Sequence, residues 1–193
     1  MGVPADVSVE RPVIETERLI LRPYKDGDLD DLADMRRRPD VMRYLYEEVQ
    51  DREAVGRVLA RRTGMHSLRR EGDSLVLAAE LKGAGRVIGD VSMRWVTEKH
   101  RQGDTGFIFN PDYQGMGYAY EAARVMLRLG FERVGFHRIE GRCDARNTAS
   151  ARLMERLGMR REAHLVENEW FKGDWGSELV YAMLDREWDQ TNP

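Results

Sequence analysis

Residues Asn110–Glu121 read NPDYQGMGYAYE, with Gly115 and Gly117 set between the run Gly106, Phe107, Ile108, Phe109 and a long helical pattern. Glycines at a strand-to-helix turn let the backbone approach a ligand closely. The first turn of a helix also presents N–H groups with no intrahelical acceptor, so this spacing suits a bound anion. A plain tight turn is compatible with the same residues. Other chemistries find less support. The histidines at His66, His100, His137 and His164 show no ligand spacing with one another or with Cys143, and no metal is expected. Cys143 is the single cysteine, which leaves no disulfide framework and no CxxC motif. A lone strand cysteine without an adjacent base or cation reads as a small buried hydrophobe rather than a nucleophile.

The elements that must position this loop follow from periodicity. TERLILRPYK alternates as a strand ending near Pro23, and Asp26 and Asp28 open a helix through Leu29, Leu32, Ala33 and Met35. A second helix starts at Asp51 with Val55, Val58 and Leu59 on one face. Three strands with short connections follow: SLVLAAEL, RVIGDVSMRWV and GDTGFIFN. A helix is expected from Gly117 to about Arg133, buried through Ala119, Ala122, Ala123, Met126, Leu127, Gly130 and Phe131. HRIEGRCD returns as a strand, and NTASARLMERLG is a helix with Asn147 as N-cap and Gly158 as the glycine past its end. MRREAHLVENEWF and SELVYAML close the chain as strands joined through KGDWG. The helical crossover after GDTGFIFN favours a parallel, right-handed pairing with HRIEGRCD, and the glycine loop lies at that junction.

Length and charge narrow the class. The chain has 193 residues and no Pro/Gly/Ser-rich linker, which suits one domain over 13–189, with 1–12 a flexible lead and 190–193 a tail. A formal net charge of -3 supplies no basic field for phosphate neutralisation, so a nucleic-acid partner is not expected. No apolar run reaches membrane-spanning length and the start resembles no signal peptide; a soluble, unprocessed, cytoplasmic protein is expected.

QGMGYA, from Gln114 to Ala119, fits the Q/R-x-x-G-x-G/A signature of the GNAT superfamily of acyl-CoA N-acyltransferases. ETERLILRP, PDVMRYL, FNPDYQGMGYAYEAA, HRIEGRCDARNTASARLMERLGM and ENEWFKGDW, in that order, resemble the RimJ/RimL branch from about Glu15 to Trp188. The resemblance implies an α+β GNAT fold: a mostly antiparallel mixed sheet of about seven strands flanked by about four helices, with a splayed parallel pair. It also implies acetyl-CoA as cosubstrate. Its pyrophosphate would meet the backbone of Gln114, Gly115, Met116, Gly117, Tyr118 and Ala119, and its pantetheine arm the backbone of Phe107, Ile108 and Phe109. Asn147 and Arg152 are further cofactor contacts by the same likeness.

Acetyl transfer to an amine requires a base for the ammonium proton, stabilisation of developing oxyanion charge, and protonation of the departing thiolate. Glu169 and Ser150 match the base and acid positions of RimL-like enzymes, and Asp104 occupies a strand position where many relatives carry glutamate. Aspartate is one methylene shorter, so a base there would need a bridging water. Solvated strand-edge acids and a serine in the first helical turn are the ordinary structural alternatives. The resemblance places the acceptor, a small-molecule amine or a protein N-terminus, among RYLYEEV, TEKHRQ and WFKGDW. Tyr44, Tyr46, Glu47, Glu48, Trp170, Asp174 and Trp175, amphipathic or acidic, suit a cationic amine or a peptide N-terminus, and the aromatic ones serve equally for a dimer contact, leaving monomer and homodimer open.

Overall fold

The computed structural model describes residues 8–191. Residues 1–7 of the expected lead lie outside the described residues, as do 192–193 of the expected tail. Within the lead, Val9–Glu10 (β1) pairs antiparallel with Ser67–Leu68 (β4), and Val9 is buried. Ile14–Glu15 (β2) then turns into Leu19–Pro23 (β3), whose alternation buries Leu19 and Leu21.

Three helices follow: Leu29–Arg36 (α1), Pro39–Met42 (α2) and Arg52–Thr63 (α3). The last is capped by Asp51, whose carboxylate accepts from the Ala54 N–H at 2.8 Å. Leu32 and Met35 of α1 and Val55, Val58 and Leu59 of α3 pack with Tyr24, Val76, Ala78 and Val87 on one face of the sheet. The larger core covers the opposite face. There Leu77, Val91, Met93 and Ile139 meet the buried stripe Ala122, Ala123, Met126 and Leu127 of the helix after the glycine loop.

Ser74–Leu81 (β5), Arg86–Thr97 (β6) and Gln102–Phe109 (β7) form the expected antiparallel meander. Tyr118–Arg128 (α4) is followed by a wider helical turn over Leu129–Val134, so the helix expected to about Arg133 changes its pitch near its end. Arg138–Asp144 (β8), Thr148–Arg156 (α5), Arg160–Phe171 (β9) and Asp174–Leu184 (β10) complete the sheet. Its order is β2-β3-β5-β6-β7-β8-β10-β9.

The link expected as KGDWG is shorter. Only Lys172 and Gly173 turn, at φ 50° and 83°, and Asp174 is already paired with Phe171. Two successive residues with positive φ make the tight turn that matches strand twist, which lets the strands extend past the sequence expectation. A closing helix, Asp185–Thr191 (α6), was not foreseen.

One irregularity governs the site. β7 and β8 pair in parallel only from Gln102↔Arg138 to Thr105↔Gly141. Beyond that point β7 stays with β6 as far as Gly89↔Phe109, while β8 stays with β10 as far as Asp144↔Glu178. Each strand keeps its outer neighbour and loses its inner one. Gly89 holds one lip of this opening closed-packed: a Cβ there would lie 2.4 Å from Phe109 Cδ1 and 2.7 Å from the Ile108 carbonyl. Gly89→Ala is therefore expected to cost about 1–3 kcal/mol by overpacking. Urea unfolding would show this as a lowered midpoint at unchanged slope.

Candidate active site

The parted strands open a cavity of about 550 Å³ between β7 and α5, lined by Phe107, Ile108, Phe109, the glycine loop, Asn147, Ser150 and Arg152. A second cavity of about 590 Å³ lies on the α1 and α3 side of the sheet and shares Phe107, Ile108, Asn147 and Ser150 with the first. Asp104 lines that second cavity. A third, of about 330 Å³, holds Asp104 and Glu169 together, with Tyr46 beside them. Most of the sequence-predicted residues thus line three spaces that share walls: Ser150 lines the first and the second, and Asp104 the second and the third.

The glycine loop has the geometry its sequence suggested. Gly115 and Gly117 adopt φ of 76° and 84°, conformations costly for residues with a Cβ, and Gly117 is the N-cap of α4. No side chain caps that terminus. The first N–H groups of α4 therefore lack an intrahelical acceptor, and Gly115, Gly117, Tyr118, Ala119 and Tyr120 line the cavity. Gln114 lines it as well, whereas Met116 is exposed and borders a separate groove with Arg18. Arg152 and Arg156 on α5 add positive charge to the same cavity, Arg156 lying over the Tyr120 ring at 4.6 Å.

Arg18 sets the loop in place. Its Nη1 donates to the Met116 carbonyl at 2.8 Å, and its Nε and backbone N–H donate to the two Glu121 carboxylate oxygens at 2.7 and 2.9 Å. The guanidinium also covers the Tyr118 ring at 4.4 Å. Burial alone would raise the Glu121 carboxyl, but hydrogen bonds from Thr16 and Arg18 outweigh it and hold the acid below its ordinary range. Sequence reading passed over Arg18. Its partner lies 103 residues away, so no local spacing announces the contact.

The three catalytic candidates differ in setting. Asp104 sits in a charged row across the sheet, opposite Arg94 on β6 and Glu140 on β8. Arg94 Nη2 stands 3.3 Å from its Oδ2. Burial nevertheless pushes the Asp104 carboxyl above the ordinary aspartate range, against the pull of Arg94 and Arg142. Ser150 lies in the first turn of α5, where its N–H donates to Asn147 Oδ1 at 3.1 Å, so Asn147 is the N-cap expected from sequence. Glu169 is partly buried at the end of β9, with the Tyr46 hydroxyl 3.0 Å from both carboxylate oxygens. Burial, then the bond to Glu169, pushes that phenol up to about 12, which keeps it a proton donor to the carboxylate. Glu169 lines neither space that contains Ser150.

Cys143 lines the second and third cavities, yet burial and the acids Asp144, Glu178 and Glu155 push its thiol up to about 11. At neutral pH it is a thiol and a poor nucleophile. Among the described residues no three His, Cys, Asp or Glu side chains come together to hold a metal ion. No helix of the described residues is long and apolar enough to cross a membrane.

Residues 18–160 match the family model of the acetyltransferase (GNAT) domain. The chain belongs to the GNAT acetyltransferase family. It is similar to the uncharacterized N-acetyltransferase YnaD of Bacillus subtilis, at 30% identity over 91% of this chain and 99% of that one. A GNAT-family acetyltransferase from Bacillus anthracis superimposes with a TM-score of 0.81 at 30% identity, over 91% of this chain and 99% of that one. The same fold occurs in spermidine N-acetyltransferase from Vibrio cholerae, solved with CoA and spermine. That structure superimposes with a TM-score of 0.74 at 21% identity, over 90% and 99% of the two chains. GNAT folds bind acetyl-CoA generally, and the loop held by Arg18 opens on the cavity between the parted strands.

Arg18 and Glu121 should therefore act on CoA affinity as one unit. Arg18→Ala is expected to weaken CoA binding about tenfold, the scale of one charge-assisted hydrogen bond. Glu121→Gln should do nearly the same, and the double variant little more. Isothermal calorimetry on the four proteins checks this, since additive losses would separate the two residues.

Proposed function

We propose that this protein transfers the acetyl group of acetyl-CoA to a primary amine, with Asp104 taking the ammonium proton through a water and Ser150 assisting the leaving thiolate. The observation that carries this reading is that Ser150 borders both spaces: the cavity behind the glycine loop and the cavity containing Asp104. Acetyl-CoA would supply an activated thioester at that junction. The residues suit it. Uncapped N–H groups from Gly115 to Ala119 offer donors to a diphosphate, and the unpaired edge of Gly106–Phe109 offers main-chain groups to the amides of a pantetheine arm. Arg152, exposed on α5, offers charge to the same anion.

In the reaction a bond forms between the amine nitrogen and the acetyl carbon, and the bond from that carbon to sulfur breaks. The ammonium proton leaves toward Asp104, whose raised pKa makes it a stronger base than a solvated aspartate. Ser150 Oγ–H would donate to the departing sulfur while the second nitrogen proton, lost as the amide forms, restores the hydroxyl, so that the products are the amide and the CoA thiol. Glu169 lies a cavity away from Ser150 and holds Tyr46, so its part is to shape the acceptor side rather than to take the proton. Lys172 Nζ donates to the Met42 and Glu47 carbonyls at 2.6 and 2.9 Å, tying the β9–β10 turn to the segment before α3. The likeness of ETERLILRP, NTASARLMERLG and ENEWF to the RimJ/RimL branch favours an α-amine acceptor, including a protein N-terminus.

Thiol release from acetyl-CoA over a panel of amines and peptides tests the reading. Asp104→Asn is expected to lower kcat/KM by about 10²–10⁴-fold, the usual scale of a lost general base. Ser150→Ala should lower kcat about 10–100-fold with CoA binding kept. Glu169→Gln should stay within about tenfold of the parent. Tight CoA binding with no turnover on any acceptor would favour a non-catalytic acyl-CoA-binding module instead.

The pH dependence follows from the Asp104 shift. A base with a raised pKa is lost as pH falls through that value, so the acid limb of kcat/KM should lie above about 3.9, the ordinary aspartate pKa. The limb should disappear in Asp104→Asn and persist in Glu169→Gln; the reverse pattern would make Glu169 the base.

A further inference from the structure

Within the proposed transferase reading, the second cavity carries more information than the amine alone requires. Its far wall is built from α1 and α3, which contribute Arg36, Arg61 and Arg62. These cations are not equally matched. Arg62 is neutralised inside the fold: its guanidinium is hydrogen-bonded to buried Asp90, which also accepts from the Tyr24 hydroxyl at 2.9 Å. Asp90 is thereby committed to Arg62 and Tyr24.

Arg36 is different. It is 3% exposed, yet its only close side-chain acceptor among the described residues is the neutral amide oxygen of Gln50, 3.0 Å from Nη1. Its Nε is buried and has no hydrogen-bond partner. The nearest carboxylate, Glu47, stands 3.6 Å from Arg36 Nη1 and 3.8 Å from Arg61 Nη2, beyond hydrogen-bond distance of both and half open to solvent. One loosely held acid is shared between two cations. Burial first, and then the charge of Arg62, lowers the Arg36 pKa against the opposing pull of Glu47, Asp90 and Tyr24. A buried guanidinium with an unused donor is costly unless something completes it.

We infer that the acceptor carries, besides its amine, a carboxylate that pairs with Arg36 and Arg61 at the α1–α3 end of the cavity while the amine faces Asp104 and Ser150. Asp104, with Arg94 and Arg142 about it, and Ser150 lie at the sheet end, beside the parted strands; Arg36 and Arg61 lie at the helix end with Glu47 as their one shared acid. A polyamine would bring a second cation to that end, where it would meet Arg36 and Arg61 at close range. A carboxylate would instead take the planar, paired donors that arginine presents. The chemistry is shared by a free amino acid and by a short peptide ending in, or bearing, an acid.

Matched acceptors separate these cases: lysine against 1,5-diaminopentane, phenylalanine against 2-phenylethylamine, a dipeptide acid against its C-terminal amide, with spermidine as the polycation. Thiol release gives kcat and KM for each. The carboxylate member of each pair is expected to have the higher kcat/KM by about tenfold or more. Preference for the amino acids over the dipeptide assigns a small molecule, and the reverse preference a peptide. Arg36 is buried and its variants can lose the fold, so exposed Arg61→Gln carries the mutational arm. It should raise KM about tenfold for the acids, leave their kcat in place, and leave the matched amines and amides unchanged. Equal or better turnover of the decarboxylated partners or of spermidine by the parent protein overturns the inference while keeping the transferase. Absence of thiol release with every amine overturns both, and an unbroken acetyl-CoA binding isotherm shows that it is the transfer that fails.

Discussion

The backbone groups of β7 beyond Thr105 have no inner neighbour, and the site depends on that. Main-chain N–H and C=O groups are obligatory hydrogen-bonding groups, and leaving them unpaired in a partly buried setting is unfavourable unless a partner arrives. The outer pairings of β7 with β6 and of β8 with β10 run on past the break, so the sheet is opened rather than ended. An opening of this kind, held rigid on both sides, presents main-chain donors and acceptors at fixed positions. That preorganisation is what a polar, extended ligand needs to bind without reordering the protein.

Helix α5 is seated where the pairing stops. Gly141, the last β8 residue in register with β7, lets α5 pack close: a Cβ there would lie 2.7 Å from Met154 Sδ and would require that side chain to shift. This close approach carries the first turn of α5, with Asn147 and Ser150, to the mouth of the opening. On the other side the glycine loop is fixed by Arg18 from the start of β3, so the two ends of the cleft are set by contacts far apart in sequence. Ser150 and Asp104 already border one space, so the proposed transfer would need little motion.

Much of the architecture was legible in the residues because its signals are local. Alternation marked the meander, the Asn147 cap and the Gly158 stop bounded α5, and the spacing of Gly115 and Gly117 marked the turn before α4. What was not legible depends on contacts without periodicity. The two-residue turn at Lys172–Gly173 was hidden by Asp174, Trp175 and Gly176, whose loop-like composition is overridden by pairing with β9. Helix α6 is short and largely polar, and gave no apolar stripe to follow. In the site, most residues that line the cavity behind the glycine loop were readable from a motif, but that Asp104 reaches the space containing Ser150 while Glu169 does not is a matter of register and burial. The burial of Arg36, Arg62 and Asp90 left no mark in the sequence, since nothing local distinguishes a buried arginine from a solvated one.

Amide hydrogen exchange with and without CoA tests the central claim most directly, because it reads the unpaired backbone itself. The account predicts slowed exchange on CoA binding in two segments, Gly106–Phe109 on β7 and Gly115–Tyr120 across the loop and first turn of α4, with the β5–β6 ladder unchanged. Tight CoA binding with unaltered exchange in both segments, or with protection confined to another face, would contradict it.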